Sequence, residues 1–540
     1  MSGLKTALQW AMLAGAVALL NASLTFENAW PTLSIQLTWA LSIEVALCVL
    51  AIVAAVRWVK VPSPLALRVL AAIWVVLVIG RYEDVTARSL YGRDINLYWD
   101  ARNLPSVGAM LSAVAKPWLV AAAIAGVTLV PLIVYLPLRW ALGCVTNASK
   151  DPRIRYALTA VAGAVVVLGV AQGLGATVPR SLHVVKPVTT VYARQAGMFA
   201  YEISGAGLRA LPPAPPMRSD LGRVKGADVL LVFLESYGAV SWDRPALVDA
   251  LAASRTHLDA DIRDTGRRVV STLVESTTFG GKSWLAHISL LSGTEVRDEQ
   301  TSVRLMSQPR RETMVSAFSR RGYRTVAIMP GARAAWPEGA FYGFDEIYDL
   351  ARLDYQGPSF GWWDITDQFA IARMDAFEIA PRARQPVFVF FPTISTHTPF
   401  TPSPPYQADW SRILTPAPYD EKELAYAWAQ EPDWFNLGPS YAQALNYFNE
   451  TLGGYLRLRS DRDFVMVIVG DHQPPAMVSG EGATWDVPVH VITNRAQVLD
   501  RLVQRGFHEG LRPSGPSAIK IHALLPVLLD AFGDQETASH

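Results

Sequence analysis

Cysteine is nearly absent: only Cys48 and Cys144 occur in 540 residues, and both lie in the first third. A disulfide framework is therefore excluded. The cysteine-free remainder suits either side of a membrane. An excess of one charge is missing too. Lys and Arg number 48 against 47 Asp and Glu, a net charge of +1, so no basic balance points to nucleic acid. Charged residues are only 18%, low for a soluble chain, and the mean hydropathy is positive. No internal repeat and no low-complexity tract is visible.

Apolar residues are concentrated in the first third, which is rich in Ala, Val and Leu. Residues 6–26, 37–56, 65–80, 118–138 and 156–174 have the length and polarity of membrane spans, the third being short. The first has little positive charge before it and more spans after it, so it reads as a retained anchor rather than a cleaved signal peptide. The link between spans two and three carries Arg57, Lys60 and Arg68, and that between four and five carries Arg139, Lys150, Arg153 and Arg155. Both read as cytoplasmic, and the link without Lys or Arg, residues 27–36, as outside. Five spans then put everything after residue 174 outside. The link 81–116 is basic but longer, and it also holds Glu83, Asp84, Asp94 and Asp100. Glu44, inside the second span, is a functional candidate as an intramembrane carboxylate, or a residue near the outer interface beside Trp39.

The expected organisation has three parts: a transmembrane domain of about five helices (1–176), a membrane-surface segment with the Pro-rich linker Leu211-Pro-Pro-Ala-Pro-Pro216 (177–224), and a globular domain (225–540). In the last part strand-like runs at 229–234, 323–329, 386–392, 464–470 and 487–492 alternate with helical patterns at 245–260, 311–321, 363–377, 440–458 and 519–532. That alternation predicts an α/β fold with a mainly parallel central sheet.

Two of these strands run straight into charged groups. Asp228-Val-Leu-Leu-Val-Phe-Leu-Glu-Ser-Tyr-Gly238 stops on Glu235, and Phe464-Val-Met-Val-Ile-Val-Gly-Asp-His472 ends on Asp471 and His472. Continuous apolar runs read as strands buried on both faces. Ligands in open α/β sheets bind at carboxyl ends of strands, so Glu, Asp and His delivered there point to a metal site of hard oxygens and one imidazole. His397, in Thr396-His397-Thr-Pro, follows a third strand after a short turn; alone it reads more simply as a loop-bonding residue.

A second signal is Ser276-Thr-Thr-Phe-Gly-Gly-Lys-Ser-Trp-Leu-Ala-His-Ile-Ser-Leu-Leu-Ser-Gly293. Gly280-Gly281 frees the backbone for close approach to a ligand. Ser283 opens a helical pattern whose N-terminus favours anions and a lowered alkoxide pKa. It is either an ordinary N-cap or, beside a metal, a nucleophile that needs no His base. Thr278 is the reserve nucleophile. Lys282 could hold a phosphate or be solvated, and His287, one turn past Ser283, reads as structural.

In order, Leu234-Glu235-Ser236, Gly281-Lys282-Ser283, Ser395-Thr-His397-Thr-Pro-Phe400 and Gly470-Asp471-His472 resemble the sulfatase-like lipoteichoic acid synthase and phosphoglycerol transferase group of the alkaline phosphatase superfamily. The resemblance covers nearly the whole chain. It implies an alkaline phosphatase/sulfatase-like fold and one divalent metal, manganese first and magnesium or zinc next, on Glu235, Ser283, Asp471 and His472. It implies Ser283 as catalytic nucleophile where the group has threonine, and His397 and Trp336 as substrate contacts. The group's arginine after that tryptophan is missing; Pro337-Glu338 stand there, and Arg333 is the nearest replacement. Asp364 and Asp367 match a Trp/Asp segment and read as supporting or helix-capping residues. Neither the Cys-x-Pro-x-Arg signature of sulfatases nor the exported cysteines usual in phosphoethanolamine transferases is present. The implied activity moves a phospho-head group, phosphoglycerol from phosphatidylglycerol, onto a glycan or other envelope acceptor. A phosphoethanolamine transferase and a phosphodiester or sulfate ester hydrolase are the alternatives. The implied place is the bacterial cytoplasmic membrane, with the catalytic domain facing the periplasm or outside.

Overall fold

The computed structural model describes residues 2–534 apart from 115, 180–181, 206–209, 309–310, 333–335, 337 and 362. Arg333 therefore lies outside the described residues. The chain divides into two compact units: residues 1–89 with 93–208, and residues 90–92 with 209–540.

The first unit is helical: α1 (Ser2–Thr25), α2 (Ile43–Ala54), α3 (Pro64–Tyr91), α4 (Pro117–Ala148), α5 (Pro152–Gly173) and α6 (Thr189–Ser204), with short pieces between. Among the described residues four helices are long and apolar enough to cross a membrane: α1, α3, α4 and α5. The short third expected span is a 28-residue helix. The second, by contrast, is only 12 α-helical residues continued by a π-helical turn, Ala55–Val59. Starts follow local chemistry. Asp151 caps α5 by accepting from the Arg153 amide, and Pro152 occupies the first turn, where no amide partner is needed. Glu44 is buried, and its carboxylate accepts from the Ser42 hydroxyl at 2.9 Å and the Thr189 amide at 3.3 Å, at the start of α6. That contact gives the Glu44 carboxylate a structural occupation.

Among the described residues the second unit is built on eight strands: β1 (Asp228–Leu234), β2 (Arg268–Glu275), β3 (Arg324–Ile328), β4 (Glu346–Tyr348), β5 (Val387–Pro392), β6 (Phe464–Gly470), β7 (Asp486–Thr493) and β8 (His508–Glu509). Their spatial order is β8-β2-β7-β6-β1-β5-β3-β4. The block β6-β1-β5-β3-β4 is parallel, while β7 runs antiparallel to both of its neighbours and β8 antiparallel to β2. Of the five strands read from the sequence, β1, β3, β5 and β6 run parallel and β7 antiparallel, and β2, β4 and β8 are additional to them.

Every residue of β1 is buried. Successive side chains point to opposite faces. Leu230, Val232 and Leu234 enter one core with Leu251 and Leu258 of α7 (Pro245–Asp264) and Leu445 and Leu452 of α10 (Gly438–Leu458). Val229, Leu231 and Phe233 enter the other with Leu285 and Ile288 of α8 (Ser283–Ser292) and Leu525 and Leu528 of α11 (Leu524–Phe532). A sheet covered on both faces leaves its strand ends as the open edge. A further helix, α9 (Asp367–Met374), starts from a Thr366 cap.

Candidate active site

Register explains the convergence. Leu234 of β1 pairs with Gly470 of β6, so Glu235 and Asp471 leave neighbouring parallel strands side by side. The third strand end comes from β5, on the other side of β1. Gly470 is required by space: a Cβ there would collide with the backbone oxygen of Tyr237.

Glu235, Asp471 and His472 are buried and bring one ligand atom each within 4.8 Å of one another. His472 Nδ1 donates to the Gln473 carbonyl at 2.8 Å, which directs Nε2 toward Glu235 Oε1 at 3.4 Å and Asp471 Oδ2 at 3.6 Å. Ser283, the first residue of α8, completes the group. Its hydroxyl donates to Glu235 Oε2 at 2.8 Å and stands 3.2 Å from His472 Nε2. Asp471 Oδ2 is buried without a hydrogen-bond partner. A buried carboxylate oxygen left bare is costly unless a cation takes it.

The charges are strongly coupled. Burial pushes Asp471 well above the usual carboxylate range, and the charge of Glu235 adds to that. Burial works against Glu235 as well, yet His472 holds it well below the usual range. Burial alone would lower His472, but Asp471 and then Glu235 raise it to about 9. Two carboxylates and an imidazole so crowded retain a proton that a divalent ion would displace. The donor set, two hard oxygens with one imidazole, fits such an ion.

Ser236 ties the carboxylates together. Its backbone is left-handed (φ 56°), a conformation that costs a non-glycine residue about 1 kcal/mol or more. In return its amide donates to Asp471 Oδ1 at 2.8 Å, its hydroxyl to Glu235 Oε1 at 3.0 Å, and its carbonyl accepts from Tyr441 at 2.8 Å. The sequence offered Ser236 only as part of a motif, because φ is not legible there.

Other expected residues are placed differently. The Thr278 hydroxyl donates to the Gly281 carbonyl at 2.5 Å, so it serves the loop. Lys282, left-handed at φ 62°, pairs its ammonium with Glu299 at 2.5 Å, both side chains being nearly buried. Trp336 is half-buried and packs against the core, its ring parallel to Phe390 and near Tyr342 and Phe344. An aromatic ring beside His397 is Trp363, edge-on at 4.9 Å. In the sequence Trp363 stood out only as part of the Trp/Asp segment that holds Asp364 and Asp367. His397 lines a cleft with Trp363, Phe360 and Pro399, and its Nδ1 donates to the Thr398 carbonyl at 2.7 Å. His287 sits between Phe233 and Phe390, as expected of a structural histidine. Asp364 accepts from Ser359 at 3.1 Å. Asp367 does not cap α9; its carboxylate reaches the loop after β5.

Residues 289–491 match the Sulfatase family model, a segment that holds His397, Asp471 and His472. No curated protein matches the chain in sequence. Solved structures with which it shares similarity include lipooligosaccharide phosphoethanolamine transferase A (EptA) from Neisseria meningitidis, at 15% identity over 91% of this chain and 88% of that one, with a TM-score of 0.45. Another is the lipoteichoic acid synthase LtaP from Listeria monocytogenes, at 16% identity, 53% and 69% coverage and a TM-score of 0.35. A third is the phosphoglycerol transferase GacH from Streptococcus pyogenes in complex with sn-glycerol-1-phosphate, at 13% identity, 59% and 81% coverage and a TM-score of 0.35. The match to the Sulfatase family model thus lies within the second unit, while the first unit holds the four helices long and apolar enough to cross a membrane.

Proposed function

We propose that the chain is a membrane-anchored, metal-dependent phosphotransferase that works through a covalent Ser283 intermediate. One observation carries the reading: Ser283 Oγ lies at a helix N-terminus, within hydrogen-bond reach of both Glu235 and His472, beside the bare Asp471 oxygen. A divalent ion held by Glu235, Asp471, His472 and Ser283 Oγ, manganese first, would favour the Ser283 alkoxide and neutralise phosphate charge.

Ser283 Oγ attacks the phosphorus of a lipid phosphodiester, for which phosphatidylglycerol is the proposed donor. An Oγ–P bond forms, the P–O bond to diacylglycerol breaks, and the leaving oxygen takes up a proton. The free amides at the start of α8 face the charge that develops on the phosphoryl oxygens. An acceptor hydroxyl, proposed to belong to an envelope glycan, then attacks phosphorus. It displaces Ser283 Oγ, which regains its proton. His397 is proposed to contact the head group. Phosphoethanolamine is kept as the second head group.

The proposed setting is the bacterial cytoplasmic membrane, with the sulfatase domain outside. The three-part division at residues 176 and 224 belongs to the same proposal. α2 with its π turn spans 17 residues, about 25 Å at 1.5 Å per residue, close to a 30 Å hydrocarbon core. If α2 crosses, five spans put the domain opposite the N-terminus.

The test is full-length protein in phosphatidylglycerol liposomes, with mass spectrometry of the Ser283 peptide and head-group transfer as readouts. Ser283→Ala should lower turnover on the order of 10⁴-fold. Ser283→Thr should retain activity. The mass of the adduct identifies the head group, and release to water without acceptor would indicate a hydrolase. Near wild-type transfer by Ser283→Ala overturns the covalent mechanism.

A further inference from the structure

The carboxylate of Asp367 is fully buried in the second unit, at the first residue of α9. It spends no hydrogen bond on its own helix, whose cap is the Thr366 hydroxyl. Instead Oδ1 accepts from the Ile394 amide at 2.8 Å and Oδ2 from the Ser395 amide at 3.1 Å, while the Asp367 amide donates back to the Ser395 hydroxyl at 3.2 Å. Two successive backbone donors are thus held by one two-oxygen group.

What those amides belong to matters. They lie in the turn that leaves β5, closed by the His397 amide donating to the Ile394 carbonyl at 3.0 Å. The threonines flanking the clamped pair both reach the peptide groups of Glu235. The Thr393 hydroxyl accepts from the Glu235 amide at 3.0 Å, and the Thr396 hydroxyl donates to the Glu235 carbonyl at 2.6 Å. Thr393, Thr396 and Glu235 are all buried, so no water competes for these bonds. Asp367 touches none of the metal-capable side chains. It fixes the turn, and the turn grips Glu235 from both sides while presenting His397.

We infer that Asp367 is a positioning residue: through the clamped turn 393–396 it sets the place of Glu235 in the metal cluster and of His397 beside it. The inference rests on the metal-site reading of Glu235. Its chemistry is specific to a carboxylate. Asparagine has one acceptor oxygen, so it would turn an NH₂ group toward one of the two amides. Burial raises Asp367 to about 6, the two amides and Ser395 counteracting only part of that. A carboxylate kept at such a cost where apolar packing would be cheaper is consistent with a geometric task.

The experiment measures Mn²⁺ affinity by calorimetry on full-length protein in detergent, for wild type, Glu235→Gln, Asp367→Asn, Thr396→Val and the Asp367→Asn/Thr396→Val double variant. Transfer kinetics are recorded alongside. Residues supporting metal ligands from behind typically matter 10- to 100-fold. Asp367→Asn is expected to weaken Mn²⁺ binding and lower kcat by that factor. Thr396→Val should show the same sign, and the double variant should lose less than the product of the singles, because both act through one turn. Wild-type Mn²⁺ affinity in folded Asp367→Asn, or fully multiplicative losses in the double variant, overturns the inference. If Asp367→Asn does not fold, Thr396→Val decides: wild-type affinity there refutes the relay. Failure of the underlying reading looks different, since Glu235→Gln would then bind Mn²⁺ as wild type does.

Discussion

Acid should destabilise the second unit through His490, and the structure gives the size of the effect. His490 is buried in β7. The Ser271 hydroxyl donates to the Gly510 carbonyl at 2.6 Å, so its oxygen can only accept from His490 Nδ1, at 2.7 Å. Nε2 is then the bare acceptor, taking the Tyr237 hydroxyl proton at 3.0 Å, while Trp242 Nε1 donates to the Tyr237 oxygen at 2.8 Å. A second proton on His490 would displace the tyrosine's donor and leave it without a partner. Burial, and then the nearby Arg255 charge, lower His490 to about 3. Unfolded histidine titrates at about 6.5, so between these values the unfolded chain binds one more proton. Stability from this residue is complete above about pH 6.5 and falls as pH falls, by about 1.4 kcal/mol per unit. By pH 4.5 the loss relative to alkaline pH amounts to roughly 2.7 kcal/mol. His490→Gln loses hydrogen bonds, costing about 1–3 kcal/mol at pH 7.5, but it also loses the proton-linked term. Denaturant unfolding of full-length protein in detergent, followed by tryptophan fluorescence at pH 7.5, 6, 5 and 4.5, should show the gap between wild type and variant closing on acidification. Parallel pH profiles would refute the neutral, Nδ1-protonated histidine.

Topology is tested by compartment-specific reporters: a fusion after His540 should be active on the outside and one near Lys150 inactive, whereas the reverse would mean that α2 does not cross. Gly470→Ala should cost at least about 1–3 kcal/mol, because its methyl group would meet the Tyr237 backbone oxygen, and should weaken Mn²⁺ binding by displacing Asp471 from Glu235. Unchanged stability and metal affinity in that variant would show that the two strand ends are not so tightly packed.

The sequence by itself carried much of the architecture. Apolar runs at 229–234 and 464–470 are strands because nothing polar interrupts them, and both faces are covered. Glu235, Asp471 and His472 were legible because each follows such a run directly, and Ser283 because Gly280-Gly281 precedes an amphipathic helix. The strand β2 went unread although Val269, Val270 and Val274 mark it, since Ser271 and Thr272 break the apolar run in its middle. Only the tertiary structure decided the rest. Strand order is a long-range property: that β1 lies between β6 and β5 brings residues 235, 397 and 471 to one edge. Which neighbour an aromatic ring meets is set by the fold, and so Trp336 lies against Phe390 and Trp363 against His397. The left-handed backbone of Ser236 and the grip of Asp367 on the turn after β5 exist only once neighbouring strands supply the partners. Residue type sets what a side chain can bond, and packing of distant segments sets what it does bond.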